Sequence, residues 1–411
     1  MRNRQLWMTG ACDWLIIKAP AFQYSADLVA DLERRMEMME KEKGANAARG
    51  YKRRMADQTM VLLLLHITII LIIINTIHQS PMSLPSLKEY RRNPYEATSP
   101  SRPELSQAGR TVVVTGGNSG IGYAIARNFV KASAKRVIIL GRRPDVVKSA
   151  ADRLVQEGKE DGSPSLVEGR VCDVGSLEAT EALWSGLEKE GIFVDVLVLS
   201  AASHGKVSPI LKSDLGSVWG DFEANVRSLL DFTQRFYNQK GKGATERKFL
   251  VNISTIAAYM WGSMAPERPT YGLTKNAGTT LIQQIAKDTD VNDMQIVSFH
   301  PGGVLTDMAR AAGASEEMGI PFDDENLPGQ MAVWAASREA EYLHGRFVWA
   351  NWDVDEVKKV LGKQIAEEPN FLKVGMEGLS ESMPNPMIPP EMLEKIMKFQ
   401  QDLQAKLEAQ K

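Results

Sequence analysis

Seven short apolar runs, each followed by a longer amphipathic or polar stretch, constrain this chain more than any other feature. They are TVVVT (111–115), RVIIL (136–140), GRVCD (169–173), VDVLVLS (194–200), KFLVNIS (248–254), MQIVSFH (294–300) and RFVWAN (346–351). Most are continuous and rich in β-branched residues rather than alternating, so their strands are expected to be buried on both faces, as in a parallel sheet covered by helices. Between them, 121–131, 177–189, 214–239 and 270–287 carry helical periodicity, which gives the strand–helix–strand rhythm of βαβ units. The expected fold class is α/β, a doubly wound parallel sheet of about seven strands flanked by helices.

That pattern fills residues 109–375 of a 411-residue chain and leaves four flanking segments. Residues 1–59 form an N-terminal extension, expected to be poorly ordered, with one helical stretch near 27–43 and a basic cluster at Lys52, Arg53 and Arg54. Residues 60–77 (MVLLLLHITIILIIINTI) carry no charge and are a candidate transmembrane helix, whose length of roughly 27 Å just suffices for a thin bilayer. Residues 78–108 read as a linker, and 376–411 as a tail with an amphipathic helix. Three readings of the apolar segment stand open. It is an uncleaved anchor, or a buried helix or strand, or residues 1–81 are not part of the natural product, because Met82 opens a Pro- and Ser-rich lead-in suited to an N-terminus. An inserted segment makes the protein single-pass and membrane-associated, and otherwise it is cytoplasmic. Basic residues on both flanks, Lys52–Arg54 and Lys88, Arg91 and Arg92, leave the orientation undecided.

Composition excludes several classes of function. Basic and acidic residues number 49 and 51, so the positive field that neutralises phosphates is missing and no nucleic-acid partner is indicated. The two cysteines, Cys12 and Cys172, form no CxxC, and the five histidines form no HExxH, so no metal site is expected. The first apolar run leads directly into TGGNSGIG (115–122) and then a helical stretch. Glycines in that place let backbone N–H groups approach a pyrophosphate at the positive end of a helix. The second run ends in Gly141, Arg142 and Arg143 instead of an acid. Guanidinium groups there suit a 2′-phosphate, which points to NADP(H) as cofactor.

The Thr-Gly-x-x-x-Gly-x-Gly spacing, followed in order by Asn225, Ser254-Thr255 and Tyr271-Gly-Leu-Thr-Lys275, resembles the short-chain dehydrogenase/reductase family with its YxxxK active site, and MAVWAAS (331–337), LHGRFVWANWDVDEV (343–357) and the PSLKEY…SRPELS lead-in resemble a fungal branch of it. The resemblance covers residues 82–375 and implies a Rossmann-type fold. It assigns cofactor contacts to Thr115, Gly116, Asn118, Ser119, Gly120, Ile121, Gly122, Arg142, Arg143, Asp173, Val174 and Ala201. Further contacts fall to Tyr271, Lys275, Pro301, Gly302, Val304 and Thr306. Catalysis falls to Tyr271, Lys275, Thr255, Ser254 and Asn225. By position Thr255 is the substrate-facing hydroxyl, with Ser254 as the alternative if the loop is shifted. Two departures stand out. Leu199-Ser200-Ala201-Ala202 replaces the family's Asn-Asn-Ala-Gly, and the interval from Thr255 to Tyr271 is about three residues longer than in the family.

A phenol near pKa 10 is a poor acid at neutral pH, and Lys275 is expected to favour its phenolate. The implied activity is NADP(H)-dependent hydride transfer between nicotinamide and a small-molecule carbonyl or alcohol, in fungal secondary metabolism by analogy. The alternative is a catalytically impaired cofactor-binding regulator or scaffold of the same fold. The long helices at 214–239 and 270–287 are the expected contacts of a homo-oligomer, and 309–328 reads either as a substrate lid or as a plain surface loop.

Overall fold

A computed structural model of the chain describes residues 86–375 except 241–246, 261–265, 312 and 320, together with 395, 398 and 399. The apolar segment 60–77, the N-terminal extension and nearly all of the tail lie outside the described residues. Among the described residues no helix is long and apolar enough to cross a membrane.

The seven runs form one parallel sheet in the order β3-β2-β1-β4-β5-β6-β7. The strands are β1 (Thr111–Thr115), β2 (Arg136–Gly141), β3 (Leu166–Val171), β4 (Val196–Leu199), β5 (Lys248–Ile253), β6 (Met294–His300) and β7 (Phe347–Trp349). Val112, Val113 and Val114 are each 0% exposed, so the central strand is covered on both faces and its lack of alternation is explained. β3 is the exception. It starts three residues earlier than the run GRVCD and stops before Cys172. As an edge strand half open to solvent it carries Glu168 and Arg170, and the apolar signal there was correspondingly weak.

The helices follow the predicted periodicity closely. They are α1 (Gly120–Lys131), α2 (Pro144–Glu160), α3 (Leu177–Lys189), α4 (Leu215–Phe222), α5 (Ser228–Tyr237), α6 (Pro269–Lys287), α7 (Asp307–Ala311), α8 (Asn326–Ala335) and α9 (Val354–Glu367). On one face Leu183, Trp184 and Leu187 of α3, Leu229, Phe232 and Phe236 of α5, and Ile282 and Ala286 of α6 pack on Val113, Ile138, Leu197, Leu250 and Ile296 of the sheet. On the other face lie α1 and α2, with α8 against α1. A Cβ on Gly329 of α8 would stand 2.8 Å from Ala124 O of α1, so that crossing needs glycine. The predicted helix 214–239 is interrupted by a π-helical segment, Glu223–Arg227, between α4 and α5.

The strand order reverses at β1 and β4, so a crevice opens beyond the carboxyl ends of these strands. Residues 86–108 are packed rather than a free linker. Tyr90 bridges Trp352 antiparallel, the Arg91 N–H donates to Asn351 O while Asn351 Nδ2 donates to Arg91 O, and Arg102 pairs with Glu339 at 2.8 Å.

Candidate active site

The glycine turn between β1 and α1 borders the crevice. Gly116 (φ +66°) and Gly120 (φ +51°) occupy left-handed conformations. A Cβ on Gly116 would lie 3.0 Å from Ala201 Cα, one on Gly120 3.2 Å from Thr306 Cγ2, and one on Gly122 only 2.3 Å from Gly116 O. Gly116 and Gly120 thus bring three predicted stations together: the turn, the loop after β4 and the loop after β6. Ser119 stands at the N-cap of α1 without making a side-chain cap, whereas Ser176 caps α3 at 3.2 Å and Asp214 caps α4 at 2.9 Å. The first N–H groups of α1 therefore keep their capacity for an anion. A narrow backbone cradle ending in an uncapped helix fits a dinucleotide pyrophosphate.

Thr115 has a different role from the one the motif suggests. Its hydroxyl is buried and accepts from the Ser200 N–H at 2.9 Å and the Ala201 N–H at 3.0 Å. It ties the start of the variant Leu199–Ala202 loop to β1 instead of facing a ligand. Asn118 closes in on Gly141, where a Cβ would meet Asn118 Oδ1 at 2.4 Å and Val147 Cγ2 at 2.8 Å. The position that would carry an acidic side chain is thereby crowded. Arg142 and Arg143 follow it, both exposed and without an ion pair among the described residues. Asp173 is exposed beyond β3, and its Oδ1 accepts from the Gly175 N–H at 3.0 Å, with Val174 beside it.

The catalytic candidates converge at the carboxyl end of β5. Ser254 is buried and its hydroxyl is engaged with Thr279 Oγ1 of α6 at 2.6 Å. Thr255 begins a short 3-10 turn, accepts from the Ala257 N–H at 3.2 Å, and its hydroxyl lies near enough to the Tyr271 phenol to favour the phenolate. Of the two hydroxyls, the one next to the phenol is that of Thr255. Tyr271 and Lys275 lie one turn apart on α6. Burial pushes the Tyr271 phenol up, and the hydrogen bond from Thr255 works against this. Lys275 is buried and donates to Ile253 O at 2.9 Å, and burial lowers its ammonium to about 8. Through this hydrogen bond Lys275 faces β5.

Asn225 occupies the π-helical segment, a feature frequent at functional sites. Its carboxamide accepts from the Ser203 N–H at 2.7 Å and donates to Ser203 O at 2.7 Å and to Thr274 Oγ1 at 2.9 Å. A Cβ on Gly278 would lie 2.4 Å from Asn225 O, so α6 comes into backbone contact with the bulge. After β6, Pro301 and Gly302 (φ +91°) open a loop through Val304, which bridges Asp323, to Thr306. His300, treated as structural, is buried against Trp349, and burial lowers it to about 3.

One residue at the site was not anticipated. The His204 ring lies on the Tyr271 ring, centroids 4.8 Å apart and planes 14° from parallel. Burial first, then Lys275 and Arg268, lower it to about 4, so it is neutral at physiological pH. Its neighbours are pinned on both sides. Ser203 is held by Asn225 and, at 2.5 Å, by Asp221, and Gly205 O accepts from Arg268 at 2.9 Å. The signal that could have exposed it is position alone, in the loop after a strand bordering the switch point. Among the described residues no cluster of histidine, cysteine and acidic groups could hold a metal.

The chain is similar to known proteins in sequence and fold. The short chain dehydrogenase family matches residues 110–317, half of the chain. A short chain dehydrogenase/reductase of Claviceps purpurea is 32% identical over 293 residues, covering 70% of this chain and 93% of its own length. AacuD, a short chain dehydrogenase/reductase of Aspergillus aculeatus, is 30% identical over 268 residues, covering 65% and 88%. Among solved structures the Pseudomonas aeruginosa RhlG/NADP active-site complex superposes with a TM-score of 0.53 at 22% identity over 60% of this chain and 97% of that one, a likeness of fold. The chain belongs to the short-chain dehydrogenase/reductase family of oxidoreductases.

Proposed function

We propose that the protein is an NADP(H)-dependent carbonyl reductase or alcohol dehydrogenase acting on a small molecule, with a place in fungal secondary metabolism. The observation that carries the reading is the hydroxyl pair Thr255–Tyr271 at the carboxyl end of β5, with Lys275 one helical turn on. The cradle of Gly116, Asn118, Ser119, Gly120, Ile121 and Gly122 takes the pyrophosphate. Asp173, Val174 and Ala201 border the adenine side, and Pro301, Gly302, Val304 and Thr306 the nicotinamide side. The bound nicotinamide supplies or accepts the hydride. In the reducing direction Tyr271 gives its phenolic proton to the carbonyl oxygen while the Thr255 hydroxyl donates a hydrogen bond to the same oxygen. In the oxidising direction the tyrosinate takes the alcohol proton. Lys275, whose Nζ donates to Ile253 O, would hold the nicotinamide ribose and steady the phenolate through its ammonium. Asn225 holds the loop that carries His204 against the Tyr271 ring. The impaired-scaffold alternative gains nothing from the variant Leu199–Ala202 loop, because Thr115 holds its backbone through two hydrogen bonds.

NADP(H) is favoured over NAD(H) by the crowded Gly141 and by two exposed arginines that have no carboxylate partner among the described residues. Titrating the full chain with NADPH and NADH by cofactor fluorescence tests this preference. NADPH should bind more tightly, and Arg142→Ala should erase about 10- to 100-fold of the difference, the worth of charge-assisted hydrogen bonds. Equal binding of both cofactors by the wild type overturns the assignment.

A further inference from the structure

A single buried carboxylate, Asp323, joins segments that are far apart in the chain. Its side chain is 3% exposed. Its Oδ2 accepts from the Gly303 N–H at 2.7 Å and from Asn351 Nδ2 at 2.9 Å, and Arg92 Nη1 stands 3.3 Å from its Oδ1. Arg92 is tied in further on both sides. The same nitrogen donates to Pro321 O at 2.6 Å, and the Arg92 carbonyl accepts from the Asp324 N–H at 2.9 Å. Tyr90, whose phenol is pushed up by burial and then by Asp323, also faces this carboxylate. A carboxylate so enclosed is costly unless it is paired and fully hydrogen-bonded. Its cation comes from the lead-in, before the stretch 110–317 that the family shares.

What the carboxylate holds is the loop after β6. Gly302 has φ +91°, and a Cβ there would lie 2.6 Å from Asp323 Oδ2 and 3.1 Å from Asn351 Oδ1, so the backbone is drawn down onto these two side chains. At the far end of the same loop Thr306 packs against Gly120 of the glycine turn. Arg92 thus fixes Asp323, Asp323 fixes Gly303, and the loop forms one wall of the crevice. We infer that Arg92, acting through Asp323, is a positioning residue for the nicotinamide cofactor: the lead-in locks the Pro301–Thr306 loop in its binding shape. This rests on the cofactor reading above.

The test compares Arg92→Ala with Arg91→Ala in the full chain, titrated with whichever of NADPH and NADH the wild type binds better, alongside thermal unfolding. Arg91 belongs to the same lead-in but pairs with Asp353 at 2.9 Å, away from the loop, and so reports on general loosening. Arg92→Ala should raise the dissociation constant roughly 2- to 30-fold, the range for coupling through a packed network, and Arg91→Ala should leave it near the wild type even where both lower Tm. In turnover the Arg92→Ala loss should fall on the cofactor KM rather than on kcat. If Arg92→Ala does not fold, Arg92→Lys, which keeps the charge but loses the fork, should show a smaller rise in the same direction. Unchanged binding in the Arg92 variants, or an equal loss in Arg91→Ala, overturns the inference while leaving the cofactor reading intact. A wild type that binds neither nucleotide removes both.

Discussion

Lys275 is the residue on which environment acts most clearly. It is enclosed, its Nζ bonded to Ile253 O, and burial brings its ammonium from the usual value near 10.5 to about 8. The folded chain therefore binds this proton less readily than the unfolded chain does. The penalty is complete below about pH 8 and fades as pH rises toward the unfolded value, so this residue makes stability increase between about pH 8 and 10.5. Lys275→Met removes the penalty. Chemical denaturation should show the stability of the variant relative to wild type falling by about 2 kcal/mol from pH 7 to pH 10. A difference independent of pH would mean that the buried ammonium is stabilised by contacts absent here. Residue types in order along the chain were enough to locate Tyr271 and Lys275. They left both Ser254 and Thr255 open, and the partner that engages the Ser254 hydroxyl, Thr279, lies 25 residues further on and meets it only in three dimensions. His204 and Asp323 were missed for the same reason, since neither forms a local pattern: His204 meets the Tyr271 ring and Asp323 the Gly303 N–H only in three dimensions.

The sheet was legible at the level of elements because strands buried on both faces leave continuous apolar runs. The edge strand β3, half exposed, blurred its own limits. The π-helical segment was not legible. Residues 214–239 have unbroken helical periodicity, and the extra residue in the turn is accommodated where Asn225 O meets Gly278 of α6. Its side chain makes the bulge a junction, joining α4–α5 to the His204 loop through Ser203 and to α6 through Thr274. Asn225→Ala leaves the half-buried Ser203 N–H and carbonyl without these partners, so urea denaturation should show a loss of about 1–3 kcal/mol. Turnover should fall with it, while NADPH affinity, set mainly by α1 and the loop after β6, should change little. A variant as stable as wild type would show that water replaces the carboxamide without cost.

Across the whole domain, the lead-in does more than connect. Residues 86–108 bridge the turn after β7 through Tyr90 and Trp352, anchor at the start of α9 where Glu356 accepts the Lys88 and Glu89 N–H groups, and reach the loop after β6 through Arg92. Composition had marked this stretch as a linker because Pro and Ser dominate it, whereas its order comes from three arginines whose partners, Asp323, Glu339 and Asp353, lie more than 200 residues away. On the proposed reading this scaffold assembles a hydride-transfer site with Tyr271 as its acid and base. The most direct measurement is NADPH oxidation by the full chain over a panel of ketones and quinones, repeated with Tyr271→Phe. The account predicts turnover with at least one carbonyl, a loss of about 10²- to 10⁴-fold in kcat for the variant, and unchanged NADPH affinity. Turnover by Tyr271→Phe equal to wild type would contradict it.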